Sequence, residues 1–200
     1  MRWERFFEDL QDQFDAEWEA ERAVLDTEAE RLRLSKVTLR ERLLVVARTE
    51  ASQRPDVVVE LIGSESVHAR ITAVGVDWVG VEMVAGRSGI IPVAAISALQ
   101  LPHADVLRSA RPADTGRASV AERMGIGFVL RDLVRRRVPV TVATTDARTR
   151  SGTIDRAGVD HLDLALHEPG EPRRSDAVRG HRIVPFGALA WVRVDGAGRE

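Results

Sequence analysis

Imidazole and carboxylate side chains crowd together at one place in this 200-residue chain, the run Asp160-His161-Leu162-Asp163-Leu164-Ala165-Leu166-His167. Histidine and aspartate are both zinc ligands. On an extended strand, residues of one parity share a face, so His161, Asp163 and His167 line up opposite Leu162, Leu164 and Leu166. Residues six apart on a strand lie about 20 Å from each other, so His161 and His167 share a metal only if the strand folds back. The run reads as a solvated strand face, with no metal and no cofactor expected.

A second concentration is basic. Arg131, Arg135, Arg136 and Arg137 stand at the end of an expected helix, and Arg148 and Arg150 follow on a hairpin. Such a cluster is a candidate phosphate or nucleic-acid site. Cations near a helix C-terminus are also favoured by its dipole without any partner, and an acidic protein is a third reading. Gly125-Ile126-Gly127 is not a dinucleotide fingerprint, because no strand precedes it and Leu130 holds the third glycine position. Its glycines read as close packing of a helix. With no cysteine and no tyrosine, and no Ser-His-Asp spacing or phosphate loop, the acid-base groups look scattered and no enzyme is expected. A site formed between units or across a dimer, using His161 or His181, would be the exception.

The elements that would carry these groups begin with a helix over residues 1 to about 34, free of Gly and Pro. Trp3, Phe7, Leu10, Phe14 and Trp18 form one apolar stripe on it, continued by Leu25 and Leu32. The rest of its surface is largely acidic. That stripe packs on the body, pairs in a coiled coil, or holds a partner. Thr38-Leu39-Arg40-Glu41 is a capping box opening a second helix, which Gln53, Arg54 and Pro55 end. Residues 56–101 alternate as about five short strands. Pro102 to Arg117 reads as linker, and Ser119-Val120-Ala121-Glu122 as a second capping box whose helix runs to about Arg137. Strands return over 138–195, with a loop inserted between Leu166 and Ile183.

The two strand regions repeat each other. Ile71-Thr72-Ala73-Val74-Gly75-Val76-Asp77-Trp78-Val79-Gly80-Val81 matches Ile154-Asp155-Arg156-Ala157-Gly158-Val159-Asp160-His161-Leu162-Asp163-Leu164, and Ile91-Pro92 through Ile96 matches Val184-Pro185 through Leu189. Trp191 to Val194 answers Ala98 to Leu101. Trp78 therefore occupies the position of His161, on the face opposite Val79 and Val81. Packing under the N-terminal helix, or a platform for a base or peptide, would account for it.

A strand, Gly-x-Asp at a turn, an alternating strand, a hairpin, then Ile/Val-Pro before a closing strand resembles the Sm-like and SH3-like small barrels. Val59, Leu61, Gly63, Ile71, Asp77, Val79 and Val81 carry that resemblance. Gly80 and Asp163 stand where the Sm pattern has asparagine, and the Arg-Gly of its second motif is missing. The whole layout also resembles an uncharacterised conserved actinobacterial family, which implies no activity.

The expectation is an α+β chain. A helical region (1–53) precedes two small antiparallel β-barrels (56–101 and 138–195), joined by a linker and helix (102–137) and packed about a pseudo-twofold axis. The expected function is a non-catalytic adaptor or regulator that binds protein through Trp3, Phe7, Phe14, Trp18 and Trp78, or that self-associates through the N-terminal helix. The alternative is an RNA- or DNA-binding regulator using the Arg131 to Arg150 region. Net charge is -2, which gives no global attraction to polyanions. Without a signal peptide, or the roughly 20 apolar residues of a membrane span, a cytoplasmic location is expected.

Overall fold

The structure, a computed structural model, describes residues 18–19, 22–63, 65–83, 86–111, 118–169, 174 and 176–195. Helix α1 covers 22–35 and is exposed along its length. Trp3, Phe7 and Phe14 lie outside the described residues. Trp18 is helical and exposed.

Helix α2, Leu39–Ala47, starts at the expected capping box: Thr38 caps the Glu41 N–H, and the Glu41 carboxylate takes the Thr38 N–H at 2.7 Å. Those bonds hold the Glu41 carboxyl below its ordinary value. Leu43, Leu44 and Val46 form its buried face. Strands β1 (Val57–Leu61), β2 (Ser66–Val74), β3 (Trp78–Met83), β4 (Arg87–Pro92) and β5 (Ile96–Gln100) follow. Helix α3 (His103–Ser109) occupies part of the segment expected as linker. Helix α4 (Ile126–Arg136) precedes β6 (Pro139–Thr144), β7 (Thr149–Ala157), β8 (His161–Leu166), β9 (Gly180–Pro185) and β10 (Leu189–Val194). The helix expected from Ser119 opens at Ile126 instead; residues Ala121–Arg123 make only a 3-10 turn.

The expected pair of barrels is not what forms. All ten strands join one open antiparallel sheet, in the order β5-β1-β2-β3-β4-β10-β6-β7-β8-β9. The outer edge of β4 pairs with β10, Ile90 opposite Val192 and Gly89 opposite Arg193, rather than closing onto β5. The alternating pattern says which face of a strand is buried, but a strand has two edges and the pattern does not say what pairs with each. The pseudo-twofold packing fails for the same reason. β10 is the fifth strand of its half, so the joint sets a fourth strand beside a fifth, a head-to-tail relation.

Within that sheet the sequence repeat is matched in strand order, in bulge position and in the bonds each turn makes within its own half. The strand order runs 5-1-2-3-4 in one half and 10-6-7-8-9 in the other. A bulge falls after Ile71 in the first and after Ile154 in the second. Gly75 N–H donates to the Trp78 carbonyl as Gly158 does to that of His161, and Val93 N–H to Asp77 as Phe186 does to Asp160. The glycine carbonyl of each turn takes a guanidinium from its own half's helix, Arg40 on Gly75 and Arg131 on Gly158.

Two cores lie on the sheet, and each borrows from the other half. The core under α2 takes Ala143, Ala190 and Trp191 from the second half; the core under α4 takes Trp78 and Ile90 from the first. At the joint Trp191 Nε1 donates to Glu65 at 3.0 Å. Gly63, with φ +100, brings its Cα against the Thr145 carbonyl, 2.4 Å from where a Cβ would sit. Only glycine fits there, by conformation and by space.

Candidate interaction surface

The first Gly-x-Asp turn is a socket for the segment that enters α4. Asp77 accepts the Ile126 N–H at 2.7 Å and so caps a helix that its own N-cap, Gly125, does not. Val76 N–H and Trp78 Nε1 both donate to the Met124 carbonyl, at 3.0 and 2.9 Å. Helix α2 grips the same segment from the other side. Arg40 donates to the Glu122 carbonyl, and Arg48 pairs with the Glu122 carboxylate at 3.1 Å. Burial pushes that carboxyl up, yet the bonds from Ser119 and Arg48 outweigh it and hold it below its ordinary value.

Trp78 is consequently no exposed platform. It is 6% exposed, covered by residues before α4. The segment before α4 bonds the Trp78 indole, and residues 1–17 of the helix expected to cover it lie outside the described residues. His161, in the corresponding place, is half-buried, and its Nδ1 bonds the neighbouring Asp160 carboxylate at 2.8 Å.

The expected solvated face of His161, Asp163 and His167 also divides. His167 falls just past β8 and is buried, Nε2 against the Thr153 hydroxyl at 2.8 Å and Nδ1 against the Glu168 carbonyl at 3.0 Å. With both ring nitrogens engaged it has a structural place. His181 stands by Asp155, 3.6 Å away, on another strand. Among the described residues no three His, Asp or Glu side chains converge as a metal site.

The arginines separate too. Arg135 and Arg136 share Asp132, at 2.8 and 2.7 Å. Arg131 bonds the Gly158 carbonyl. Arg148 pairs with Asp146, and Arg150 sits on β7 opposite Val142. Strand β6 lies between the two groups, so Arg137 and Arg148 stand roughly 15–20 Å apart. Arg135, Arg137 and Arg156 line a shallow hollow, together with Asp155.

The feature that the sequence reading missed is an apolar groove. Leu39, Leu43 and Val46 recur at i, i+4 and i+7 on α2, which sets them in one row. That row faces Ile96, Leu99 and Leu101 across a cavity of about 300 Å³. Val106 of α3 supplies the third wall. Arg42 fastens it there, Nη2 donating to the Val106 carbonyl at 3.0 Å and Nε to the buried Ser109 hydroxyl at 3.2 Å. Beside the groove runs β5, which among the described residues pairs on one side only, with β1. Ser97 and Ala98 on it are exposed. At the opposite end of the sheet β9 is likewise paired, among the described residues, only with β8. Each of these apolar residues is ordinary in sequence; only the missing neighbour makes a groove.

Comparison with protein-family models, with curated proteins and with solved structures finds no match. No helix among the described residues is long and apolar enough to cross a membrane.

Proposed function

We propose that this chain is a non-catalytic protein-binding module, an adaptor or regulator, which takes an extended segment of a protein partner along β5. One observation carries the reading: a strand edge that is unpartnered among the described residues runs beside an apolar groove. A strand added to such an edge satisfies its backbone donors and acceptors, and alternate side chains find pockets. The separation of His161, His167 and His181, each on its own partner, supports a role without catalysis.

Panning a peptide display library against the immobilised protein supplies a probe. Segments alternating apolar and polar residues are expected to be selected, and Ala98→Asp is expected to weaken them by roughly tenfold or more. If no such peptide is selected, or if Ala98→Asp leaves binding intact, the groove is not the site. Single-stranded RNA and duplex DNA titrated at two salt concentrations are the control. Steeply salt-dependent binding, lost when Arg135, Arg136 and Arg137 are changed to Ala, would assign the chain to nucleic acid instead.

A further inference from the structure

The joint inside the molecule names an occupant for the groove. It pairs the fourth strand of one unit with the fifth of the next, Ile90 against Val192. A head-to-tail contact does not use up its two surfaces; each end of the pair still presents one of them. Aligned through Pro92 and Pro185, Ile183 of β9 is the counterpart of Ile90. Leu99 of β5 is the counterpart of Val192, aligned through Ile96 and Leu189. Ile90 is 6% exposed in the core under α4, whereas Ile183 is 73% exposed on a free edge. Val192 is buried, whereas Leu99 is half-buried in the wall of the groove.

We propose that β9 of one chain adds to β5 of a second copy, Ile183 entering the groove between α2 and β5 as Ile90 enters the core under α4. This rests on the reading of the groove as a strand acceptor and identifies the strand.

The second Gly-x-Asp turn makes the same point from different atoms. It repeats the backbone bonds of the first within its own half. The first turn also holds the segment entering α4, through Val76, Asp77 and Trp78. The second holds no such segment among the described residues, and Val159 is 95% exposed. With β9 laid on β5 of a second copy, the Gly158 turn would face residues 36–39 of that copy, which lead into α2 as residues 123–126 lead into α4, although α2 carries its own cap at Thr38. Both ends of the contact are thus built, and both are open.

Sedimentation velocity over a concentration series tests the proposal on the full chain. The wild type is expected to associate reversibly into species larger than a dimer, because each copy keeps one free end until a ring closes. Ile183→Asp and Ala98→Asp each alter an exposed side chain, so the thermal midpoint of unfolding should hold at concentrations where the chain is monomeric. Each is expected to weaken association by roughly 30-fold or more, Ile183→Asp by withdrawing an apolar side chain from the groove and Ala98→Asp by setting a charge where the added strand must lie. The two variants mixed are expected to form a one-to-one dimer that does not grow, since one intact β9 then meets one intact β5. A wild-type chain that stays monomeric overturns the proposal. So does association indifferent to both variants, or a mixture that forms no dimer. The wider reading fails separately: Ile183→Asp leaves β5 untouched and should still bind the selected peptides. Loss of self-association with peptide binding retained in Ile183→Asp, and loss of both in Ala98→Asp, is the supporting pattern.

Discussion

The turns at Gly75 and Gly158 carry the same Gly-Val-Asp, fold with the same backbone bonds and take a guanidinium each from the helix above. Only the first is inside a joint. Its Asp77 caps α4 and its Trp78 is buried under the entering chain, while Asp160 bonds its neighbour His161 and Val159 stands in solvent. Identical local geometry therefore performs different work, according to whether another segment of chain arrives. Half of the protein demonstrates what the other half is able to hold.

The largest expected contrast lies at the aromatic position. Trp78→Ala should destabilise the fold by about 3–5 kcal/mol, through the cavity and the lost bond to Met124, whereas His161→Ala should cost less than about 0.5 kcal/mol. Urea unfolding of the two variants measures both. If they cost the same, the two turns are not differently loaded.

Next come the paired strands. Ile90→Ala should cost about 2–4 kcal/mol as a core truncation. The same change at Ile183 should be within about 0.5 kcal/mol at concentrations where the chain is monomeric. A concentration-dependent cost at Ile183 would sharpen the comparison, since it would show the second edge in use.

Capping separates the aspartates by a smaller amount. Asp77→Ala removes the acceptor for Ile126 and should cost about 1 kcal/mol, with faster amide exchange in the first turn of α4. Asp160→Ala caps nothing among the described residues and should be close to neutral by the same measurement.

The smallest effect is a titration. The bond from His161, then its charge, holds the Asp160 carboxyl below its ordinary value of 3.8. A carboxyl lowered on folding contributes stability above its unfolded pKa, and that contribution is lost as pH falls through the lower, folded one. NMR titration of Asp160 should therefore show a midpoint below 3.8 in the wild type, moving upward in His161→Ala. A midpoint unchanged by the substitution would mean that His161 does not hold the carboxylate.

Much of the fold could be read from residues alone, and the failures have a common cause. The capping box at Thr38, the strand alternation and the two copies of the turn are all set by interactions within a few residues. Ser119 resembled a helix start by the same local rule, but Asp77, distant in sequence, caps the helix at Ile126 and so sets where it begins. Residues 103–109 carry little periodicity, and their helix is held by Arg42 reaching from α2. The six arginines fall in one stretch of sequence, Arg131 to Arg150, and β6 separates the helix end from the hairpin. Trp78 needed cover because its face of the strand was opposite the apolar one, and the segment before α4, distant in sequence, packs there.

What the sequence by itself determined is the repeated unit: which residues turn, which alternate, which cap a helix, and that all of it occurs twice. Those are short-range matters of backbone conformation and side-chain parity. Only the tertiary structure decided that the units share one sheet, that β4 gives its edge to β10, and that β5 and β9 stand at the two ends of the strand order. A strand's hydrogen-bonding edges are backbone groups, identical for nearly every residue type, so no side-chain pattern announces which edge is taken. That choice rests on how Trp78, Ile90 and Trp191 fill the space between the halves, and the same packing leaves Ile183 and the groove beside Leu99 open.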